Sequence, residues 1–221
     1  MICWPSGLAG AATMKTKVKI CGITNLADAQ AAVAAGADLL GFNFYEPSPR
    51  HLTLAAAAEI TRHLPPGILR VGVFVNAPET LVFQAMQVCG LNLLQFHGDE
   101  PPQFCTQFGL MSLKAFRMDG ESVLAELPKY GTAGYLLDAY SPGEAGGTGR
   151  QFNWDLAVTA KQFGKPIFLA GGLTPENVAD AVVKVRPFAV DVASGVESAP
   201  GKKDAAKVRE FIARVRQVKA G

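Results

Sequence analysis

The chain has 221 residues, 49% of them hydrophobic and 18% charged, with 21 Lys and Arg against 19 Asp and Glu. That is ordinary globular composition, long enough for one sizeable core. Near-balanced charge without a basic run leaves no footprint for nucleic acid or an anionic membrane surface, and no apolar stretch approaches the roughly 20 residues of a membrane helix.

The opening, MICWPSGLAGAAT, lacks the basic start of a secretion signal, and Pro5 and Gly7 interrupt any apolar run. Periodic structure starts only after Met14. Residues 1–16 therefore read as a disordered or extended tail, its first part lying upstream of the true start, and 17–221 as one catalytic domain. The four cysteines, Cys3, Cys21, Cys89 and Cys105, match neither a zinc site nor a redox pair. Free thiols without a secretion signal suit the cytoplasm.

From Lys17 the chain alternates strand and helix. A strand at Lys17–Cys21 leads to a helix LADAQAAVAA, capped by Asn25 and stopped by Gly36. A second strand, Leu39–Phe44, precedes a helix over Leu54–Leu64 that ends before Pro65-Pro66. Strand three is Val71–Val75, with a helix over Pro78–Cys89 that takes its proline in the first turn. Strands follow at Leu93–His97, Ser112–Phe116 and Tyr135–Asp138, with the weakest unit around Gly120–Leu127. Ile167–Ala170 leads to a helix opening at Thr174-Pro175-Glu176, and Phe188–Ala193 to one capped by Asp204 that buries Val208, Phe211, Ile212 and Val215. Eight such units predict an α/β fold, a single closed (β/α)8 barrel. The rival is an open doubly wound sheet, but Cys21-Gly22-Ile23-Thr24 is not the glycine-rich fingerprint usual after its first strand.

Such a barrel carries its active site at the C-terminal strand ends, and often a phosphate site after strands seven and eight. Gly171-Gly172 and Ser194-Gly195 stand at those two places, where glycines let backbone N–H groups approach an anion. Taken singly they are tight turns; together they nominate a phosphate site, to which a short helix after strand eight would add its positive end. Alternation along strand one puts Val18 and Ile20 toward the helices, and Lys19 and Cys21 into the barrel. Cys21 is then a candidate base at the mouth, or a small core residue. Asp191, inward on strand eight beside strand one, is expected to pair with Lys19.

Asp138, ending strand six, is either catalytic or a loop cap. Cys21 and Asp138 would flank a ligand from two sides, one as base and one as acid. The loop AYSPGEAGGTGRQFNW after Asp138 reads as a mobile cover. Arg50 suits a carboxylate or is a surface charge, and His97 either positions a neighbour or makes a structural hydrogen bond. No metal constellation emerges.

The stretches KICGIT (19–24), GADLLGFNFYEPSPR (36–50), VGVFVN (71–76), LLQFHGDE (93–100), LLDAYSPGEAGGTGRQFNW (136–154), LAGGLTPENV (169–178) and FAVDVASGVESAPGKKD (188–204) together resemble the phosphoribosylanthranilate isomerase family of tryptophan biosynthesis. The resemblance implies an Amadori rearrangement of N-(5-phosphoribosyl)anthranilate to the 1-deoxy-ketose phosphate. It implies Cys21 as general base, Asp138 as general acid, Arg50 on the anthranilate carboxylate and the two glycine turns on the phosphate. It also implies a small phosphorylated substrate as the partner and no cofactor, because the substrate nitrogen is the electron sink. Departures from the family pattern are Ala193 for serine, Asn153 for aspartate and Phe96 for leucine. Related histidine-pathway isomerases use paired aspartates, and a non-catalytic binder would lack the base or the acid. Monomer and homodimer both remain open.

Overall fold

A computed structural model describes residues 15–139 and 154–218. The expected N-terminal tail up to Met14 lies outside the described residues, as do most of the glycine-rich loop and Asn153. Eight parallel strands close into a barrel in chain order: β1 (Lys17–Cys21), β2 (Leu39–Asn43), β3 (Leu69–Phe74), β4 (Leu93–Phe96), β5 (Ser112–Met118), β6 (Gly134–Ala139), β7 (Ile167–Leu169) and β8 (Ala189–Val192). Closure comes from β1 and β8, whose register sets Lys19 opposite Asp191.

Side-chain alternation produces two apolar layers. Val18, Ile20, Leu40 and Phe42 point outward into the large core beneath the helices. Leu39, Val71, Leu93, Leu113, Leu136, Phe168 and Ala189 point inward and plug the barrel. The barrel floor is therefore filled with apolar side chains, and a ligand site is expected at the C-terminal mouth.

Six α-helices cover the described strands: α1 (Leu26–Ala35), α2 (Leu54–Thr61), α3 (Glu79–Cys89), α4 (Trp154–Ala160), α5 (Val178–Val185) and α6 (Ala205–Gln217). Asn25 caps α1 and Gly36 ends it in the left-handed conformation. Asp204 caps α6, whose Val208, Phe211, Ile212 and Val215 are all buried. Three helix starts or ends depart from expectation. α2 stops at Thr61, short of Leu64, because the residue before Pro65 is disfavoured in a helix. Pro78 is extended, with ψ 148°, so it precedes α3 as the cap position and does not form its first turn. α5 begins at Val178 because Asn177 is recruited by the preceding turn.

The fourth and fifth units hold only 3-10 turns, at Phe104–Thr106, Glu121–Ala125 and Leu127–Lys129. In the fourth, few residues separate Pro102 from Gly109, too few to nucleate a helix. In the fifth, Pro128 removes a donor where a helix would need one. A two-stranded antiparallel hairpin, β9 (Glu197–Ala199) with β10 (Lys202–Lys203), is inserted between β8 and α6.

Asp38 fastens the closed end. Its carboxylate accepts from the Val18 N–H at 2.8 Å, from Lys17 Nζ at 2.9 Å and from Arg216 Nη2 at 2.7 Å. Burial works to raise its pKa, but Arg216, Lys17 and the Val18 amide outweigh that and hold it below the ordinary 3.8. A depressed carboxylate contributes stability that is present above the unfolded value and lost as pH falls through the folded one. Asp38→Ala is expected to cost about 1–3 kcal/mol at neutral pH. Denaturant titration should show that gap narrowing below pH 3.8; a constant gap would contradict the ionic account.

Candidate active site

The inward positions of the strands turn polar toward the C-terminal rim. On β1 the buried Lys19 donates to Asp191 Oδ1 at 2.9 Å, an ion pair inside the barrel. One step further along the strand, Cys21 reaches the mouth. Gly41 on β2 leaves room for both: a Cβ there would sit 2.7 Å from the Cys21 sulfur and 3.2 Å from Lys19 Nζ. Burial pushes the Cys21 thiol above its usual value; Lys19 draws it back, Asp191 pushes it further up, and Lys203 again lowers it. Lys19 itself stays protonated: burial opposes its charge, but Asp191 and Cys21 leave its pKa raised.

Asp138, the last residue but one of β6, is buried at the cavity wall. His97 Nε2 lies 3.2 Å from its Oδ2, within ion-pair distance but outside hydrogen-bond geometry. On the other side of the ring, the Gln95 amide sits 3.1 Å from His97 Nδ1. With that amide donating, Nδ1 serves as acceptor and Nε2 is the ring nitrogen that faces Asp138. The backbone after His97 is anchored by Glu100, which accepts from the N–H groups of Asn76 and Gly98 and from Lys114 Nζ. That buried carboxylate fixes the loop from which His97 projects.

The two glycine turns touch. Gly171 and Gly172 have φ of 79° and 66°, a region that other residues rarely enter. Asn177 braces this turn by donating to the Gly172 carbonyl and accepting from the Thr174 N–H. Across from it, a Cβ on Gly195 would fall 2.0 Å from the Leu173 carbonyl oxygen. Only glycine allows that approach, so the turns after β7 and β8 form one continuous backbone surface. Ser194–Val196 is a single 3-10 turn, the short helical element anticipated there.

These groups converge on a cavity of about 390 Å³ at the barrel mouth, a size suited to a small ligand. All nine residues nominated from sequence line it: Cys21, Arg50, His97, Asp138, Gly171, Gly172, Asp191, Ser194 and Gly195. Arg50 is not a loose surface charge. Its Nε and Nη2 donate to Glu197 Oε1 and Oε2 at 2.8 and 2.7 Å. Asn43, Gln95 and Arg117 also line the cavity and were not nominated. Each is the polar inward residue near the end of its strand, the same alternation that singles out Cys21. Among the described residues no group of three or more His, Cys, Asp or Glu could hold a metal ion, and no helix is long and apolar enough to cross a membrane.

Comparison with known proteins gives a consistent answer. A family model described as N-(5'phosphoribosyl)anthranilate (PRA) isomerase matches residues 18–214. The N-(5'-phosphoribosyl)anthranilate isomerase of Geobacter sulfurreducens is 57% identical over 200 residues, covering 90% of this chain and 98% of the relative. The crystal structure of phosphoribosyl anthranilate isomerase from Thermotoga maritima superposes with a TM-score of 0.85 at 39% identity, covering 91% of this chain and 98% of that one. A further phosphoribosyl anthranilate isomerase structure holds reduced 1-(o-carboxyphenylamino)-1-deoxyribulose 5-phosphate, with a TM-score of 0.82, 38% identity, and 91% and 98% coverage.

Proposed function

The chain belongs to the N-(5'-phosphoribosyl)anthranilate isomerase family, an enzyme family, and on that premise we propose that it performs this isomerisation in tryptophan biosynthesis with Cys21 as general base and Asp138 as general acid. The observation that carries the reading is the meeting of a thiol, a carboxyl group and two glycine turns around one cavity.

The substrate has an anion at each end. Its phosphate suits the two turns of Gly171, Gly172, Ser194 and Gly195, where glycines let backbone N–H groups approach an anion, and its carboxylate suits Arg50. Tyr45, Pro47, Pro49, Val73 and Val75 also line the cavity and offer apolar surface to an aromatic ring. Fixing both ends holds the sugar between base and acid, which converts proton transfer into a positioned, intramolecular event.

Asp138 donates a proton to the ribose ring oxygen as the C1–O bond breaks, and the substrate nitrogen takes up the charge as an iminium. The C2 proton is thereby acidified. The Cys21 thiolate removes it and the electron pair forms the C1–C2 double bond of an enolamine, which tautomerises to the ketone. The acid has lost one proton and the base gained one, so the substrate's proton count is unchanged and exchange with solvent resets both groups. His97 lies beside that carboxyl group, its Nε2 3.2 Å from Oδ2.

The test is turnover of N-(5'-phosphoribosyl)anthranilate by the purified protein, followed by formation of the ketose phosphate. Inorganic phosphate should compete with the substrate. A protein that binds phosphate at this rim without forming product is a binder, and the reading fails.

A further inference from the structure

We propose that Glu197 and Lys203 are positioning residues that hold the Arg50 guanidinium ready for the substrate carboxylate; this rests on the reading above that Arg50 receives that group. A guanidinium has five N–H donors. Glu197 takes two of them, the Nε–H and one on Nη2. Among the described residues, the remaining Nη2–H and both Nη1–H groups have no partner. That Nη2–H and one Nη1–H form the end-on fork of the same plane, which can still grip a second carboxylate with two parallel bonds. Glu197 thus fixes the plane of the guanidinium from one edge and leaves the other edge open.

Glu197 alone would defeat this purpose. A buried carboxylate beside Arg50 cancels its charge and repels an incoming anion. Lys203 removes that obstacle: its Nζ donates to Glu197 Oε1 at 2.8 Å, and two cations against one anion leave the cluster net positive. Burial lowers the Lys203 pKa and the bond to Glu197 opposes that loss. Burial would raise Glu197, but Arg50 and Lys203 hold it below the ordinary glutamate value.

The β9–β10 hairpin carries both residues and is fastened to the loops around the cavity. Thr24 Oγ1 donates to the Gly201 carbonyl, the Lys203 N–H donates to Asp28, and Lys203 Nζ also donates to the Ala193 carbonyl at the root of the phosphate turn. The Arg50 stem crosses Gly22, where a Cβ would fall 2.4 Å from Arg50 Cδ. The guanidinium is therefore clamped beside the strand end that presents Cys21.

The test compares wild type, Glu197→Gln, Arg50→Ala and the double variant for kcat and KM with N-(5'-phosphoribosyl)anthranilate, and for inhibition by inorganic phosphate. Glu197→Gln should raise KM about 10- to 100-fold, as loss of a charge-assisted anchor would, with kcat changed far less. The double variant should be no worse than Arg50→Ala, because residues acting through one group are not additive. Phosphate inhibition should stay at the wild-type level. Additive losses, a wild-type KM in Glu197→Gln, or parallel loss of phosphate inhibition would overturn the proposal. Should Glu197→Gln not fold, Glu197→Asp keeps the charge against Lys203 but shortens the reach, and a wild-type KM in that variant overturns it equally. A wild type without turnover is a different outcome: it removes the parent assignment before any variant is compared.

Discussion

Cys21→Ala is expected to lower kcat by about 10²- to 10⁴-fold, the usual worth of a positioned acid–base group, while the protein stays folded and still binds phosphate. The fold tolerates the change because Cys21 is only half-buried at the mouth and Gly41 already makes room around its sulfur. Asp138→Asn should cost a similar factor. The two variants differ from a general loss of structure in that unfolding midpoints stay near wild type. The pH profile offers an independent check. A base must be deprotonated to work, and burial holds the Cys21 thiol above 9.0 despite the nearby lysines. Because the base must be deprotonated and the acid protonated in the same molecule, the profile of kcat/KM, which reports the free enzyme, should be bell-shaped and fall on both sides of its optimum. A profile without a falling limb would show that no acid has to keep its proton; undiminished turnover by Cys21→Ala would remove the thiol from the reaction.

Much of this arrangement is legible along the chain because barrel alternation is a local rule. Period-two patterning puts Lys19 and Cys21 on the inward face, and the same rule, applied to every strand, reaches Asn43, Gln95 and Arg117. The two glycine turns stand out because special backbone conformations demand special residues. What stays hidden depends on residues far apart in sequence. Arg50 and Glu197 are 147 positions apart, and nothing near either one announces the other. The β9–β10 hairpin is equally silent: its strands are three and two residues long, too short for a pattern. The missing helices of the fourth and fifth units follow from Pro102, Gly109 and Pro128, punctuation that the eightfold repeat overshadows.

The Lys19–Asp191 pair makes the strongest prediction about stability. Asp191→Asn should destabilise the protein by about 3–5 kcal/mol, because it leaves an ammonium in the barrel without its counter-charge. Most of that cost belongs to the orphaned lysine and not to the bond, so the two single variants and the double variant should differ in kind. Lys19→Met with Asp191→Leu removes both charges and replaces them with apolar groups beside the Leu39 and Ala189 layer. Buried pairs replaced in this way commonly lose little stability or gain some. Denaturant unfolding of the double variant should therefore return close to wild type, whereas Asp191→Asn alone does not. Turnover should stay low in the double variant, since Lys19 is the nearest cation drawing the Cys21 thiol toward its reactive form. A double variant that is both stable and fully active would mean the pair serves neither the fold nor the base.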